Sequence, residues 1–542
     1  MEAAVLAYSE TEKKYGTLSL PAACAFPERK RILEDLLSRQ FPTPPCPDLD
    51  RWMERINADQ TSLVFVGAYA GNAASILGHT FLRFTNSKRE AQGREGIDLL
   101  SHSVGYTAHT NPNDGKIAYT IKGLTGAYPG FYDIEPYYMK VGLYNNAESR
   151  DLWDVKLSLS PQETERMVRL VWEYSFNAQI AYYFIGKNCS YRLLKLIEIV
   201  RPDLHVSDSF LFEVLPAESV RVLIEAGLTE TDWKFRASIR RRLNAKLELL
   251  SSDQRNLFEE AKTSIQAVQQ IEDPTLIDAL LDYWLYENYK ANADLPLEKR
   301  DLMEAVFPRA ASVKGTSLFR QTDEDIRKSG QLEPPFAGHK PRWIEVGAGR
   351  DHDRTSAEFS ARLGVHPLWS NSPGYRDISA IEYLGLDYQF REGFRDLWNV
   401  LIVQARTLEE FFARPRSSSW GFDMRVTNDC HFCDGETAQF QMSGSYGIAS
   451  KSDQWLFAVL PDVELGVWNE NGTQGFAAPG IRSIGKWGHG RFVLFLEGSA
   501  HWWKSERLEK IESRIGYEYS KQGSIFLKFR ERAAMASLVQ FF

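Results

Sequence analysis

The sequence lacks any apolar run long enough to cross a bilayer as a helix, and the apolar stretch from Leu63 to Tyr69 is only as long as a strand. A helical membrane protein is therefore not expected. The sequence also lacks a basic excess, because its formal net charge is -8 and both signs are mixed along the chain. This balance argues against a nucleic-acid partner. No Gly-rich phosphate loop occurs, and we expect no bound cofactor.

The start of the chain, Met1-Glu2-Ala3, shows neither the charged nor the apolar region of a secretory signal. Such a signal is either absent by nature or has been removed, and the sequence does not separate these two cases. The length of 542 residues exceeds what one hydrophobic core normally organises. We therefore expect two or more domains.

Cysteine is scarce, with five residues in the whole chain. Cys24 and Cys46 flank a short segment, and a C-x-x-C occupies 430–433. A zinc site there would need more ligands than the adjacent His431 supplies. We expect no metal, and instead disulfides in an oxidising compartment, joining Cys24 to Cys46 and the two cysteines of the C-x-x-C. Cys189 is left over as a free thiol.

The periodicity of apolar residues predicts four segments: a helical N-terminal segment at 1–60, an α+β domain at 61–205, a helical spacer at 206–335 and a β domain at 336–542. Short runs rich in β-branched and aromatic residues predict the strands of the α+β domain. These runs are Ser62–Gly67, Thr80–Phe84, Ser101–Thr107 and Lys116–Lys122.

Two helices of the α+β domain have recognisable starts. Ser160 followed by Pro161 provides an N-cap and a first helical residue, so a helix should run from there to about Phe176. A second helix should begin at Cys189 and stop before Pro202.

After Pro334-Pro335 the sequence alternates apolar and polar residues at a period of two, as in Trp420 to Thr427. This alternation fits a soluble sandwich with an apolar core. It also fits a transmembrane barrel of about 10–12 strands whose apolar face meets lipid and whose charged face lines the lumen. Tryptophans near strand ends and the terminal Phe541-Phe542 favour the barrel.

The candidate for chemistry is Cys189, because a helix N-terminus stabilises a thiolate. A neighbouring imidazole can take the proton of a thiol and return it to the leaving group. His79, at the entrance to a predicted strand and preceded by Gly78, is the candidate base.

Three stretches carry a resemblance to a known family: Gly78-His79-Thr80-Phe81-Leu82-Arg83, the segment 122–130 and Tyr182-Tyr183-Phe184 followed by 188–194. Together they resemble the Lnb N-terminal periplasmic domain, over about residues 50–205. That family is similar to permuted papain-like proteins, in which His precedes Cys, as His79 precedes Cys189 here.

The resemblance implies a permuted papain-like fold and N-acylation of lipoproteins. Cys189 would accept an acyl chain from a phospholipid donor and pass it to the amine of a lipoprotein's N-terminal cysteine, with His79 as general base and acid. It also implies a place in the bacterial cell envelope, facing the periplasm and anchored in the outer membrane by the β domain.

An orienting residue for His79 is expected on the next strand, where His102, Ser103 and His109 are available and Gly105 stands where a polar side chain is expected. The oxyanion would be held by the backbone N–H of Cys189, with Asn188 or Tyr182 as a second donor, although Asn188 also suits an N-cap.

Two other functions fit the same residues. A cell-wall peptidase or amidase would use the same Cys-His pair with water as the acceptor. A non-catalytic outer-membrane assembly or binding protein would keep the domain as a scaffold, with Cys189 buried and no imidazole near it.

Overall fold

A computed structural model describes residues 2–69, 77–92, 97–111, 113–177, 180–184, 186–210, 213–291, 294–314, 323–329, 332–364, 366–371, 374–375, 378–409, 418–429, 438–452, 454–469, 472–531 and 533–542. The chain divides into two compact units, residues 1–331 and 332–542. The finer division of the first unit stays a prediction. No helix in these ranges is long and apolar enough to cross a membrane.

The first unit contains helices and a seven-stranded antiparallel sheet. The helices are α1 Glu2–Ser9, α2 Ala22–Ala25, α3 Pro27–Leu37, α4 Pro47–Ile56, α5 Ser87–Glu90, α6 Lys116–Thr125, α7 Tyr137–Lys140, α8 Pro161–Asn177, α9 Cys189–Val200, α10 Pro216–Glu225, α11 Ile239–Leu249, α12 Ser252–Ala261, α13 Ile265–Gln270, α14 Pro274–Lys290, α15 Leu297–Lys314 and α16 Asp323–Ser329. A π-helical turn, Val141–Ala147, follows α7, and 3-10 turns cover Ile97–Leu100 and Val206–Ser209.

The strands of this unit are β1 Lys14–Tyr15, β2 Leu20–Pro21, β3 Gln60–Val66, β4 His79–Thr85, β5 His102–Ala108, β6 Tyr128–Pro136, β7 Leu152–Leu157, β8 Ile180–Tyr182 and β9 Thr229–Arg236. The main sheet has the order β8-β6-β5-β4-β3-β7-β9, and β1 and β2 form a separate pair. The predicted strands near 62–67, 80–84 and 101–107 and the two predicted helices, now α8 and α9, are confirmed.

Two predictions of secondary structure were wrong. Lys116–Lys122 lies in α6, where Ile117, Ile121 and Leu124 recur at helical spacing. The segment 206–335 is not helical throughout, because Thr229–Arg236 forms β9 at the edge of the main sheet. Its alternation of Thr229, Thr231, Trp233 and Phe235 is the period of a strand.

The N-terminal segment is helical as predicted and is closed by the predicted disulfide between Cys24 and Cys46, whose Cα atoms lie 5.3 Å apart. The segment binds α8 through the buried Glu173, whose Oε1 accepts the backbone N–H groups of Glu28 (2.6 Å) and Arg29 (2.8 Å) at the start of α3. The predicted disulfide within 430–433 lies outside the described residues.

The second unit is a closed antiparallel barrel of twelve strands. They are β10 Trp343–Asp351, β11 Arg354–Arg362, β12 Ser379–Arg391, β13 Leu397–Thr407, β14 Ser419–Thr427, β15 Gln439–Lys451, β16 Trp455–Asn469, β17 Thr473–His489, β18 Phe492–Trp503, β19 Glu506–Ser520, β20 Gly523–Arg530 and β21 Ala533–Phe541. Pairing of β10 with β21 closes the ring, from Trp343 opposite Phe541 to Asp351 opposite Ala533.

The alternation sorts side chains to the two faces of the barrel wall. On β11, Phe359 points outward and is 39% exposed, whereas Glu358 and Ser360 on either side are buried in the interior. The same holds on β19, where Ile515 and Tyr517 lie outside. The apolar face is therefore the exterior, so the sandwich interpretation was wrong and the barrel prediction is confirmed.

Candidate functional site

Cys189 is the first residue of α9 and its thiol is not in a disulfide. The helix begins there because the Asn188 side chain caps it, its Oδ1 accepting the Tyr191 backbone N–H at 3.2 Å. Leu193, Leu194 and Ile197 then bury one face of the helix. Cys189 thus lies in the positive field of a helix N-terminus, and it is only 4% exposed.

The Tyr182 hydroxyl, at the end of β8, lies against the Cys189 thiol. Burial raises the pKa of Tyr182 well above its usual value, and the electrostatic interaction with the nearby Cys189 raises it further. Tyr182 therefore stays a neutral phenol and can donate a hydrogen bond beside the sulfur. Its ring stacks on Tyr106 of β5 with ring centroids 5.5 Å apart, which fixes its position.

His79 opens β4 after Gly78, whose φ of 89° lies in the left-handed region that favours glycine. The imidazole packs on the ring of Tyr144 with centroids 5.5 Å apart. Burial, followed by the positive charges of Arg150 and Lys140, lowers the pKa of His79 to about 3. The ring is therefore neutral near pH 7, and its Nε2 is buried without a hydrogen-bond partner among the described residues.

A side-chain hydrogen bond joins β4 to α9 next to this pair, with Thr80 Oγ1 and Ser190 Oγ 2.8 Å apart. The side chains of the pair approach this contact from different faces of β4. Thr80 faces α9, whereas His79 and Phe81 both pack against Tyr144 on the opposite face of β4. Within the described part of the chain no hydrogen bond joins His79 to Cys189.

Arg150, just before β7, connects the surroundings of both residues. Its Nε donates to the Gly67 carbonyl at 2.6 Å, Nη1 donates to Glu148 at 2.7 Å, and the guanidinium lies 5.2 Å from the centre of the Tyr144 ring. Burial lowers the pKa of Arg150, whereas Glu148 and, more weakly, Cys189 raise it. A buried cation beside His79 disfavours a second positive charge on the imidazole. Sequence reasoning missed Arg150, since it lies outside every recognised motif.

The predicted orienting residues do not reach His79. Ser103 and His102 pair with Arg83 and Phe84, four and five positions along β4 from His79. At about 3.3 Å per residue, the partners of Ser103 and His102 lie roughly 13 Å or more from His79 along the strand. The prediction for both was wrong, because it used the neighbouring strand without knowing the register.

The space beside Gly105, where a polar side chain was expected, is filled from the other side. Asp133 of β6 pairs with Gly105, and its carboxylate occupies the volume that a side chain at Gly105 would need. Lys140 of α7 forms an ion pair with Asp133 and is itself buried. A polar group therefore stands at the expected place, but on β6. The glycine was the only sequence signal that could have pointed to it.

Asn188 is occupied by structural contacts. Besides capping α9, its Nδ2 donates to the Val214 carbonyl at 2.8 Å and to the Phe184 carbonyl at 3.4 Å. Its role as an oxyanion donor stays a prediction, and the other side chain considered for that role, Tyr182, lies close enough to Cys189 to interact with it electrostatically.

The sequence motifs at 122–130 and 182–184 pack on each other. A side chain at Gly123 would overlap the Phe184 ring, and one at Gly126 would overlap Tyr183. The strands pair beside them, with Tyr128 opposite Tyr182. These glycines therefore let an aromatic wall close against the strand that carries Tyr182.

Residues 48–226, which contain this whole arrangement, match the family model of the Lnb N-terminal periplasmic domain. This match places residues 48–226 in that family. The expected resemblance is confirmed, and the Lnb-type segment includes α10, beyond the end predicted for the α+β domain.

Residues 333–535 match a second family model, described as a domain of unknown function, DUF7840. Comparison with curated proteins finds no match. A periplasmic domain family together with a closed barrel that carries apolar side chains outward identifies an envelope protein.

Solved structures similar to part of the chain include three outer-membrane proteins. They are the KdgM porin (8% identity, 37% of this chain and 98% of that one, TM-score 0.23), the NanC porin (5%, 37% and 99%, TM-score 0.24) and an outer membrane channel from Pseudomonas putida F1 (8%, 39% and 100%, TM-score 0.25). These values do not by themselves establish a shared fold or function.

Proposed function

We propose that this Lnb-type protein is a thiol-dependent acyltransferase of the outer membrane, which moves an acyl chain from a phospholipid to the N-terminal amine of a lipoprotein. One observation carries the proposal: the free thiol of Cys189 begins a helix next to a neutral phenol and near a buried guanidinium. A free thiol at a helix N-terminus beside a cation is a setting in which cysteines act as nucleophiles. A permuted papain-like arrangement of the domain is part of the proposal.

The chemistry requires two transfers. The Cys189 thiol passes its proton to the His79 imidazole and attacks the ester carbonyl of the lipid. A C–S bond forms, the C–O bond breaks, and the lysolipid oxygen takes that proton from the imidazole. The lipoprotein amine then attacks the thioester, a C–N bond forms and the C–S bond breaks. The amine must lose a proton, which the imidazole accepts and returns to the Cys189 sulfur. Because a pKa of about 3 makes His79 a weak base in the arrangement seen here, its surroundings must change for this transfer. Tyr182 can stabilise the oxyanion in both steps.

Anchoring by the barrel supports the same assignment. Both the lipid donor and the lipoprotein acceptor reside in a membrane, so a catalytic domain on a membrane-inserted chain meets them at a high effective concentration. The outward apolar side chains of the barrel, such as Phe457 and Leu527, are suited to contact with lipid.

A second candidate is a non-catalytic envelope protein in which this domain is a scaffold. Two observations favour it: Cys189 is 4% exposed, and no hydrogen bond from His79 reaches its thiol within the described residues. For the acyltransferase to act, the imidazole or the thiol must shift from the arrangement seen here.

The test is the acylation state of lipoproteins, read by mass spectrometry, in cells that express only the wild type, Cys189→Ser or Ser219→Ala. Ser219 is a matched control, since it is also small and buried but lies in α10 with its hydroxyl bonded to the Pro216 carbonyl. We expect N-acylation to disappear in Cys189→Ser and to persist in Ser219→Ala. Unchanged N-acylation in Cys189→Ser would contradict the acyltransferase and favour the scaffold function instead.

A reaction with the purified full-length chain identifies the acceptor. Phospholipid vesicles and a lipopeptide with a free N-terminal amine are supplied together. N-acylated lipopeptide supports the transferase. Release of free fatty acid alone, with the amine unmodified, would instead assign the thiol to hydrolysis.

A further inference from the structure

The interior of the barrel is not polar throughout. Along β16 the inward side chains are Leu456, Ala458 and Leu460, followed by Asp462. We name the end at which β10 begins and β21 ends the proximal end, and the opposite end the distal end. The apolar members of β16 lie in the proximal half, so this half of the interior resembles the core of a soluble protein.

The other strands repeat this division. The buried apolar side chains of the proximal half form one cluster. Its members are Trp343, Leu368, Trp369, Ile378, Ala380, Leu408, Ala449, Leu456, Ala458, Leu460, Ile484, Val493, Phe495, Phe526, Val539 and Phe541. A water-filled barrel channel has a polar interior instead.

Part of this cluster comes from outside the strands. The segment 366–371, between β11 and β12, folds into the proximal end of the barrel. The indole of Trp369 lies 5.5 Å from that of Trp343 and 5.0 Å from the Phe526 ring, measured between ring centroids. We call this segment the plug.

Two polar contacts hold the plug in place. Lys486 Nζ donates to the Ser370 carbonyl at 2.5 Å, and the Asn371 backbone N–H donates to Glu518 at 2.8 Å. Both Lys486 and Glu518 belong to barrel strands, so the plug is bonded to the wall as well as packed against it. Ser370 is 1% exposed and Trp369 is 6% exposed.

Ion pairs also cross the interior, beside members of the apolar cluster, since Arg406 pairs with Ala380. Arg406 of β13 makes two hydrogen bonds to Glu497 of β18, at 2.7 and 2.8 Å. These strands are five apart in a ring of twelve, so the pair joins nearly opposite walls. Arg482 of β17 also binds Glu497, at 2.6 Å, and Asp462.

A second group of charges closes the other side of the interior. Lys528 of β20 contacts both Glu345 and Glu358, at 3.2 and 2.6 Å, and Lys528 and Glu345 are each 1% exposed. The remaining cavity, of about 510 Å³, is lined by Asp351 at the distal end and ends on Leu368 and Trp369. The plug therefore lines one end of this cavity.

We infer that the barrel is a sealed membrane anchor and not a channel: the plug and the apolar proximal half exclude water, and ion pairs that cross the interior hold the walls together. Ions would have to cross an apolar core without hydration, which is strongly unfavourable. Small barrels of about eight strands are filled by their side chains, and this twelve-stranded one reaches the same state with a plug. The inference rests on the proposed outer-membrane location.

The test is ionic conductance of the full-length chain in planar lipid bilayers, with insertion measured separately by co-flotation with phospholipid vesicles. Three proteins are compared: the wild type, an opened variant (Leu368→Gly, Trp369→Gly, Arg406→Ser and Glu497→Ser) and Trp502→Gly. Trp502 is a matched control because it is an exposed aromatic residue on the outer face. The opened variant removes both partners of the ion pair, so no lone charge stays buried.

We expect the wild type and Trp502→Gly to float with vesicles and show no conductance steps, and the opened variant to conduct. Conductance steps from the wild type would overturn the inference. If all three proteins insert and none conducts, the plug and this ion pair are not the seal. A wild type that does not float would overturn the outer-membrane location, and this result is distinct from an open channel.

Discussion

The two units bury their strands in opposite ways. In the first unit β3 is buried at six of its seven positions, because helices cover both faces of the sheet. In the barrel β16 alternates, with Phe457 and Val463 outside and Leu460 and Asp462 inside. The difference shows that the order of buried and exposed residues along a strand depends on what covers each face of the sheet. It also shows that charge is used differently: at single points around Cys189, but as groups of ion pairs that cross the interior in the barrel.

The largest effect is expected where the barrel depends on its interior charges. Lys528→Met leaves Glu345 and Glu358 buried without this partner, which should lower the free energy of unfolding by about 3–5 kcal/mol. The control is Arg507→Met, which breaks an exposed pair with Glu509 and should cost at most about 1 kcal/mol.

The measurement is urea unfolding of the full-length chain in detergent micelles, followed by the change in gel mobility of the barrel. Equal losses in the Lys528 and Arg507 variants would show that the interior charges do not hold the barrel, and the contrast between the units would fail.

The second effect should be confined to the first unit. Removing the Cys24–Cys46 bond, with 22 residues of separation, by the double change to Ser should destabilise this unit by about 3 kcal/mol, since the unfolded chain gains freedom. Hydrogen exchange read by mass spectrometry should rise in peptides of α2, α3 and α8 and stay unchanged in the barrel strands. Faster exchange in the barrel would mean that the two units are coupled.

The third prediction compares glycines in the two units. Gly123→Ala places a methyl group against the Phe184 ring and should cost about 1–3 kcal/mol. The matched change in the barrel is Gly444→Ala, where a methyl group meets open space. Thermal unfolding should show a loss for the first and little change for the second. Phe184→Leu should recover part of the Gly123→Ala loss, and no recovery would argue against this contact as the cause.

The smallest effect concerns His79. Its pKa of about 3 lies below the ordinary 6.5, so the unfolded chain takes up a proton that the folded one does not as the pH falls from 6.5 towards 3. The stability that this neutral imidazole confers is present above pH 6.5 and is lost on acidification. The free energy of unfolding of the wild type should therefore fall between pH 7.5 and pH 4.5. His79→Gln should make this fall smaller by about 1–2 kcal/mol, allowing for the partial exposure of the residue.

Urea unfolding of wild type and His79→Gln at the two pH values measures this difference. If both proteins lose the same stability on acidification, His79 is not held neutral by its surroundings. Its assignment as a neutral base would then lose its support.

Local signals in the sequence predicted local features well. The start of α9 at Cys189 follows from its N-cap, and the barrel strands follow from their alternation. The strand Thr229–Arg236 also alternates, but its neighbours in sequence are helical, and only its pairing with β7 shows its place in the sheet. Lys116–Thr125 failed for the opposite reason, because β-branched composition was preferred over helical spacing.

The site shows the same limit. The sequence identified Cys189 and His79 as candidates, but the face of β4 on which His79 lies and the distance of Ser103 depend on strand register. Arg150 and Asp133 join the site from other elements, and no spacing in the sequence could have brought them there.

The sequence by itself determined where α9 starts, which cysteine is left with a free thiol, and which barrel residues share a face, because each of these depends on neighbours a few positions away. Tertiary structure alone decided that Asp133 fills the space at Gly105, that twelve strands close into a ring, and that Trp369 enters its proximal end. These features depend on contacts between residues far apart in the chain, whose free energy appears only when the packed surfaces meet.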